Sequence, residues 1–178
     1  MAHVFHGDPR HLDRPARRKK LPALQILQEM GIKAGDTVLD FGAGIGYFSR
    51  PALDLVGPAG TVIAIDCSPR MLAELRRRVG QRPNLILCEG SDLGSWTADV
   101  ILLVTVLHEL DDPAVFLNSC FSHLRSGGRV VIIDWQKKRM LDGPPMHERI
   151  AKDDLLRMTS RSYRDHPIHK AFYFLEFW

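Results

Sequence analysis

The chain has 178 residues, enough for one domain with a sizeable core, and its 45% hydrophobic and 25% charged content is that of an ordinary globular protein. A formal net charge of +3 is too small to argue for nucleic acid as a partner. No apolar run approaches the ~20 residues of a membrane span. Three cysteines (Cys67, Cys88 and Cys120) lack C-x-x-C spacing, which argues against a disulfide framework or zinc site and for a reducing cytoplasm.

Residues 1–20 carry Pro9, Pro15 and scattered charges without periodicity, and they are expected to form an irregular arm ahead of a domain spanning 21–178. The basic clusters Arg17–Lys20 and Arg76–Arg78 read as a solvated lead-in and the outer face of a helix. Leu24, Leu27 and Met30 have helical spacing, closed by Gly31. Thr37 to Phe41 is a short strand, three glycines follow, and Tyr47 to Leu55 is predicted helical. Thr61 to Ile65 has no polar face, as a strand buried on both sides should be. Ser68-Pro69 opens a helix to about Val79, Asn84 to Cys88 is a third strand, and Asp99 to Val106 is a fourth. Asp112-Pro113 starts a helix reaching about Leu124, which Gly127-Gly128 is expected to stop before a fifth strand, Arg129 to Trp135. A loop with Gly143-Pro144-Pro145, a short helix near Lys152 to Met158 and an aromatic strand to Trp178 complete the chain.

Alternating strands and helices imply an α/β fold: a doubly wound, Rossmann-like, mostly parallel sheet with helices on both faces. The last strand, reached without a crossover helix, has to enter antiparallel at the C-terminal edge. Its aromatics read as a buried edge strand, with a dimer seam as the other option, so monomer and homodimer both stay open.

In such sheets ligands bind at the carboxyl ends of the strands. The turn after the first strand is Asp40-Phe-Gly42-Ala-Gly44-Ile-Gly46, where glycine lets backbone and ligand approach closely. The dinucleotide fingerprint fails when counted from Gly42, and is nearly met from Gly44, with Ser49 in the third position. Asp40 discriminates better: a carboxylate there repels a pyrophosphate and attracts an ammonium or a sulfonium. Asp66, about twenty residues beyond Gly46, can accept from both hydroxyls of a ribose, whichever nucleotide carries it. Asp92 is placed to accept from an adenine amine, with Leu93 offering its N–H and an apolar side. A simple turn-capping role is the alternative for Asp66.

Together these segments resemble the class I S-adenosylmethionine (SAM)-dependent methyltransferases. Val38 to Phe48 looks like their first motif, Val62 to Asp66 the second, Glu89 to Asp92 the third, Asp99 to Glu109 the fourth and Leu124 to Asp134 the fifth. The resemblance is greatest to the small-molecule branch with ubiquinone/menaquinone and arsenite methyltransferases, although the arsenite enzymes' cysteine set is missing. It implies SAM as cofactor and S-adenosylhomocysteine as product, with a small-molecule acceptor. It further implies that Asp40, Gly42, Ala43, Gly44 and Gly46 hold the methionine end. Asp66 would hold the ribose, and Asp92 with Leu93 the adenine, while Cys67 and Thr105 complete the cofactor set. The family usually has another strand between the last helix and the final strand, for which this chain leaves only about a dozen residues.

Methyl transfer is an in-line displacement that positioning can largely catalyse, and a base is needed only if the acceptor must lose a proton. His108, after the fourth strand, is the candidate base, with Glu109 beside it; lining the pocket is its alternative role. His123 is expected to face solvent or the last carbonyls of its helix, and the remaining histidines to be solvated. Phe5 to Arg18 is a candidate lid. An NAD-type oxidoreductase and a non-catalytic SAM-binding protein are the competing functions.

Overall fold

The computed structural model describes residues 12–178. The arm and its following segment form α1 (Pro15–Lys20) and α2 (Ala23–Glu29). Then come β1 (Thr37–Phe41), α3 (Ser49–Val56), β2 (Thr61–Asp66), α4 (Pro69–Val79), β3 (Leu85–Glu89) and β4 (Ala98–Val104). The chain continues as α5 (Pro113–Cys120), β5 (Leu124–Trp135), α6 (Lys152–Arg157), β6 (Tyr163–Asp165) and β7 (Phe172–Phe177). Single 3₁₀ turns occupy Leu107–Glu109 and Phe121–His123.

The strands form one seven-stranded sheet in the order β3-β2-β1-β4-β5-β7-β6. The first five are parallel to one another, and β7 enters antiparallel, pairing Ile133 with Phe174. Strand order reverses between β1 and β4, so the site predicted from strand ends lies above that pair. β1 is buried at every residue. Alternation sends Val38 into the core layer under α2 and α3, and Leu39 and Phe41 into the layer under α5. α3 buries Ala52, Leu53 and Val56 along one stripe, and α4 buries Met71, Leu72 and Leu75.

The doubly wound fold with its reversed edge is as expected, and four local readings are corrected. Pro15 to Lys20 is helical: Pro15 takes a first-turn position, where its missing N–H is no loss, after an extended Arg14. Gly127-Gly128 does not separate helix from strand, because β5 already begins at Leu124. The β4–β5 register shifts between Ala98 and Val100, where a Cβ on Gly128 would meet the carbonyl oxygens of Arg125, Asp99 and Ala98 at 2.9–3.2 Å. The glycines thus serve a bulge. The further strand, for which the sequence leaves only about a dozen residues, is present as the three-residue β6, whose brevity hides it from any periodicity. β6 is therefore the open edge, and the aromatic β7 is an inner strand with Tyr173, Phe174 and Phe177 in the core.

Two histidines also depart from expectation. His123 Nδ1 pairs with the Trp96 carbonyl at 2.7 Å, and His166 stacks on Phe174 with its Nε2 2.9 Å from Glu176. Cys67 and Cys88 are half-buried, Cys120 is buried, and all three are free thiols. No helix among the described residues is long and apolar enough to cross a membrane.

Candidate functional site

A cavity of about 600 Å³ opens at the carboxyl ends of β1, β2 and β4, within the range of small-molecule sites. One half is built by the glycine turn. Gly42 and Ala43 donate their N–H groups to the Ile65 carbonyl at 2.8 and 3.0 Å, lacing the turn to the end of β2. Gly42 has φ +70°, and a Cβ there would lie 2.5 Å from the Val106 side chain, so only glycine fits. Asp66 accepts from Gly44 N–H at 2.7 Å and from Ser68 N–H at 2.9 Å, which fixes its carboxylate at the cavity wall. Further lone pairs on its oxygens stay open to a diol. Asp40 is buried, and the Ser49 hydroxyl donates to its Oδ2 at 2.5 Å. Burial pushes its pKa up to about 6; the Ser49 bond opposes the rise and the charge of Asp66 adds to it. A carboxylate this short of solvation is poised to gain from a cationic ligand.

The other half forms around His108. Its 3₁₀ turn brings Nδ1 to 2.7 Å from Asp134 Oδ1, and its backbone N–H to 3.3 Å from Oδ2. Asp134, near the end of β5, is only 1% exposed and also accepts from Trp135 N–H at 2.8 Å. Burial works against protonating His108, but the hydrogen bond and charge of Asp134, with Glu109 and Glu148, hold its pKa above the ordinary value. Glu109 Oε1 lies 4.0 Å from His108 Nε2, and burial pushes Glu109 up to about 7. Trp135, Phe172 and Tyr47 supply aromatic wall.

Two segments close the cavity. Residues 12–20 bring Leu12, Arg14, Arg17 and Lys20 to its rim. Asp13 bridges Arg18 and Arg78, tying this segment to α4, and Lys20 pairs with Asp142 across the mouth. The loop carrying Asp142 is held from within by Arg149, whose guanidinium donates to the carbonyls of Pro144, Gln136, Lys138 and Asp142 at 2.8–3.2 Å. The solvated reading of Arg17–Lys20 thus fails for Arg17 and Lys20. The N-terminal part of the candidate lid lies outside the described residues, as do His3, His6 and His11.

Asp40, Gly42, Ala43, Gly44, Asp66, Cys67, Thr105 and His108 all line this one cavity. Gly46 lies behind it, where a Cβ would meet Leu75 Cγ at 2.6 Å. Asp92 and Leu93 are set apart: Asp92 is exposed and accepts from Gly94 N–H at 2.8 Å, and Leu93 is in the core. Gly90 and Ser91 reach the cavity in their place. Thr105 has φ +54°, the one non-glycine residue in that region among the described residues. Asp134, Glu148 and Arg17 were missed. Asp134 had a signal, since it stands near a strand end as Asp40 and Asp66 do. No group of three His, Cys, Asp or Glu side chains suited to a metal ion occurs among the described residues.

Comparison with known proteins places this geometry. The methyltransferase domain family matches residues 39–130. The demethylmenaquinone methyltransferase of Tropheryma whipplei (strain Twist) is 32% identical over 118 residues, covering 65% of this chain and 48% of that protein. The chain thus spans about half the length of such relatives. A fibrillarin-like rRNA/tRNA 2'-O-methyltransferase of Thermococcus onnurineus is 30% identical over 156 residues, covering 84% of this chain and 68% of that protein. The crystal structure of a SAM-dependent methyltransferase from Aquifex aeolicus superposes with a TM-score of 0.86 at 26% identity, covering 96% of this chain and 98% of that one. With the glycine turn, the strand-end carboxylates and the reversed sheet edge on the same scaffold, the chain belongs to the class I SAM-dependent methyltransferase family.

Proposed function

We propose that the protein transfers the methyl group of SAM to a small organic acceptor that gives up a proton, with His108 as the base. One observation carries this reading: the His108–Asp134 pair opens onto the same cavity as Asp40 and Asp66. With Asp134 ionised, a neutral His108 must carry its proton on Nδ1, and its Nε2 lone pair is then free to accept one. The cavity fits the cofactor: its volume suits a nucleoside, Asp66 suits a ribose diol, and buried Asp40 suits an ammonium. When bound, SAM supplies a methyl group on a sulfonium, whose C–S bond breaks as the acceptor's electron pair attacks.

His108 takes the acceptor's proton at Nε2, and Asp134 holds the ring in orientation and stabilises the imidazolium that forms. Trp135, Phe172 and Tyr47 exclude water around the reacting atoms. The acceptor half is acidic, with Glu109 and Glu148 lining it and Asp134 buried behind His108, which favours a neutral or cationic small molecule over a nucleic-acid backbone.

The test is S-adenosylhomocysteine formation from SAM over a panel of phenols, enols, amines and thiols, with His108→Ala as control. Turnover with one class, lost in His108→Ala while SAM binding persists, supports the reading. Binding of SAM with no turnover on any class would leave a cofactor-binding protein without transfer. Binding of NAD in place of SAM would overturn the reading altogether.

A further inference from the structure

Charge around the cavity is unevenly shared. Its lining carboxylates (Asp40, Asp66, Glu109, Asp142 and Glu148) come from strand ends and loops of the domain. Its lining Arg and Lys side chains (Arg14, Arg17 and Lys20) all come from the short segment around α1. Lys20 is engaged by Asp142, and Arg14 is exposed. Arg17 is different. Its guanidinium lies 5.6 Å from the centre of the Tyr47 ring and donates from one terminal nitrogen to Thr105 Oγ1 at 3.2 Å. Its Nε is buried with no hydrogen-bond partner, and no carboxylate of the described residues lies within ion-pair distance of it. Burial pulls its pKa below the usual arginine value. A desolvated guanidinium with an unused donor is costly, and an anion recovers that cost.

The place of that anion follows from the strands. Thr105 directly follows β4, the neighbour of β1, and Phe41 pairs with Leu103 in register, so Arg17 lies above the same strand ends as Asp40. The two do not pair with each other: Asp40 is held by Ser49 instead. A fixed acid and a fixed base set apart over one end of a cavity match a zwitterion, whose ammonium goes to Asp40 and whose carboxylate goes to the base.

We propose that Arg17 binds the α-carboxylate of the cofactor's methionine end, so that the segment before the family-matched region decides whether an amino-acid-bearing nucleoside is held. This rests on SAM being the cofactor. It makes Arg17 a specificity residue: it distinguishes SAM and S-adenosylhomocysteine from adenosine thioethers that lack the amino acid. The planar fork of the guanidinium, already oriented by Thr105 and Tyr47, can offer two parallel N–H donors to a carboxylate, which a lysine cannot. It also couples the α1 segment to the cofactor, because docking the carboxylate draws on the same residue that packs this segment against Tyr47.

The experiment is calorimetric titration of wild type, Arg17→Gln and Arg17→Lys with S-adenosylhomocysteine and with 5'-methylthioadenosine, which shares the nucleoside but has no amino acid. Circular dichroism and thermal unfolding without ligand confirm that the variants are folded. Arg17→Gln should weaken S-adenosylhomocysteine by about 30-fold or more, the range for removing one partner of a desolvated charge pair. It should change 5'-methylthioadenosine by less than about 3-fold, with Arg17→Lys between wild type and Arg17→Gln for the first ligand. A parallel loss for both nucleosides would make Arg17 a strut of the pocket and overturn the assignment. Unchanged S-adenosylhomocysteine affinity with a raised KM for an anionic acceptor would move the carboxylate from cofactor to acceptor, and would equally overturn it. If wild type binds neither nucleoside, the cofactor reading itself fails and the assignment falls with it.

Discussion

The two halves of the cavity are built differently. The proposed cofactor half is largely local: Asp40, the glycines and Asp66 all lie at the ends of two adjacent parallel strands, within 27 residues of sequence, and Arg17 is the proposed contact that reaches in from the α1 segment. The acceptor half draws His108 from the turn after β4, Asp134 from β5, Glu148 from a loop, Phe172 from β7 and its cover from residues 12–20. Local assembly gives a site that short motifs can specify and that any acceptor chemistry can share. Assembly from distant segments gives a site whose chemistry depends on tertiary placement, and whose parts can change independently.

The largest effect that would sharpen this contrast is on the acceptor side alone. Asp134→Asn keeps the shape of the side chain but removes the charge that stabilises the imidazolium. Its NH2 group must also replace one acceptor, either Oδ1, which serves His108 Nδ1 and Trp135 N–H together, or Oδ2, which serves His108 N–H. It should lower kcat by roughly 10²–10⁴-fold, in line with the usual contribution of general-base catalysis. S-adenosylhomocysteine affinity, measured in parallel, should stay within about 2-fold. The pH profile gives the sign independently. His108 must be neutral to act, and its pKa is held above the ordinary value, so wild-type kcat should rise with pH through that elevated pKa. Without the charge of Asp134, burial dominates and the limb should move to lower pH. A full-rate Asp134→Asn enzyme would remove the base from the mechanism.

The cofactor side should respond in the opposite sense. Asp66→Ala removes the proposed ribose acceptor and the anchor for Gly44 and Ser68. A loss of about 100-fold in S-adenosylhomocysteine affinity corresponds to ~2.7 kcal/mol, a reasonable magnitude for two charge-assisted hydrogen bonds. If affinity changes less than about 5-fold, Asp66 serves only the loop, as its two backbone bonds would allow. Should kcat at saturating cofactor fall as steeply as for Asp134→Asn, the division into two halves is wrong.

This division also explains what could be read from sequence. Asp40 and Asp66 were legible because a strand buried on both faces and a glycine turn each leave an unmistakable local pattern, and the acid follows within a residue or two. Asp92 had the same form of argument, but it is exposed and outside the cavity lining, with Oδ1 accepting from Gly94 N–H in a turn, a local use open to any aspartate in a loop. His108 could be named from its place after β4, whereas its partner Asp134 lies 26 residues on and meets it only through the β4–β5 pairing. β6 was too short to have a period, and β7 read as an edge because its neighbour was invisible. Arg17 had no signal at all: four consecutive basic residues look solvated, and helical geometry decides which one turns inward.

A smaller effect separates stability from binding within the cofactor half. Burial raises the pKa of Asp40 to about 6 from its ordinary value of 3.8, so the folded protein binds a proton there more tightly than the unfolded chain. Stability should therefore fall as pH rises from about 4 to about 6, and stay lowered at pH 7. Asp40→Asn keeps an acceptor for Ser49 without the buried charge. It should stabilise the ligand-free protein by about 1–3 kcal/mol at pH 7, flatten that pH dependence, and weaken S-adenosylhomocysteine. Urea titrations at pH 4.5 and 7 measure this directly. A destabilised Asp40→Asn at pH 7 would mean that Asp40 supports the fold more than it serves a cationic ligand.

The smallest effect concerns the cover. Lys20 and Asp142 join the α1 segment to the Arg149-held loop, with side chains 27% and 48% exposed. Lys20 holds the Asp142 carboxyl below its usual pKa, so the pair's contribution should be present above the normal carboxylate range and fade as pH falls through the lowered value. Water and salt screen a pair this open, and Lys20→Ala should cost less than about 1 kcal/mol, with the difference vanishing near 1 M salt. Arg17, the Asp13–Arg78 bridge and the Tyr47 hydroxyl, which donates to the Leu21 carbonyl at 2.5 Å, already hold the segment in place without it. A salt-independent loss above about 2 kcal/mol would show instead that the two covering segments close as one unit, and that the acceptor half is less modular than its scattered origins suggest.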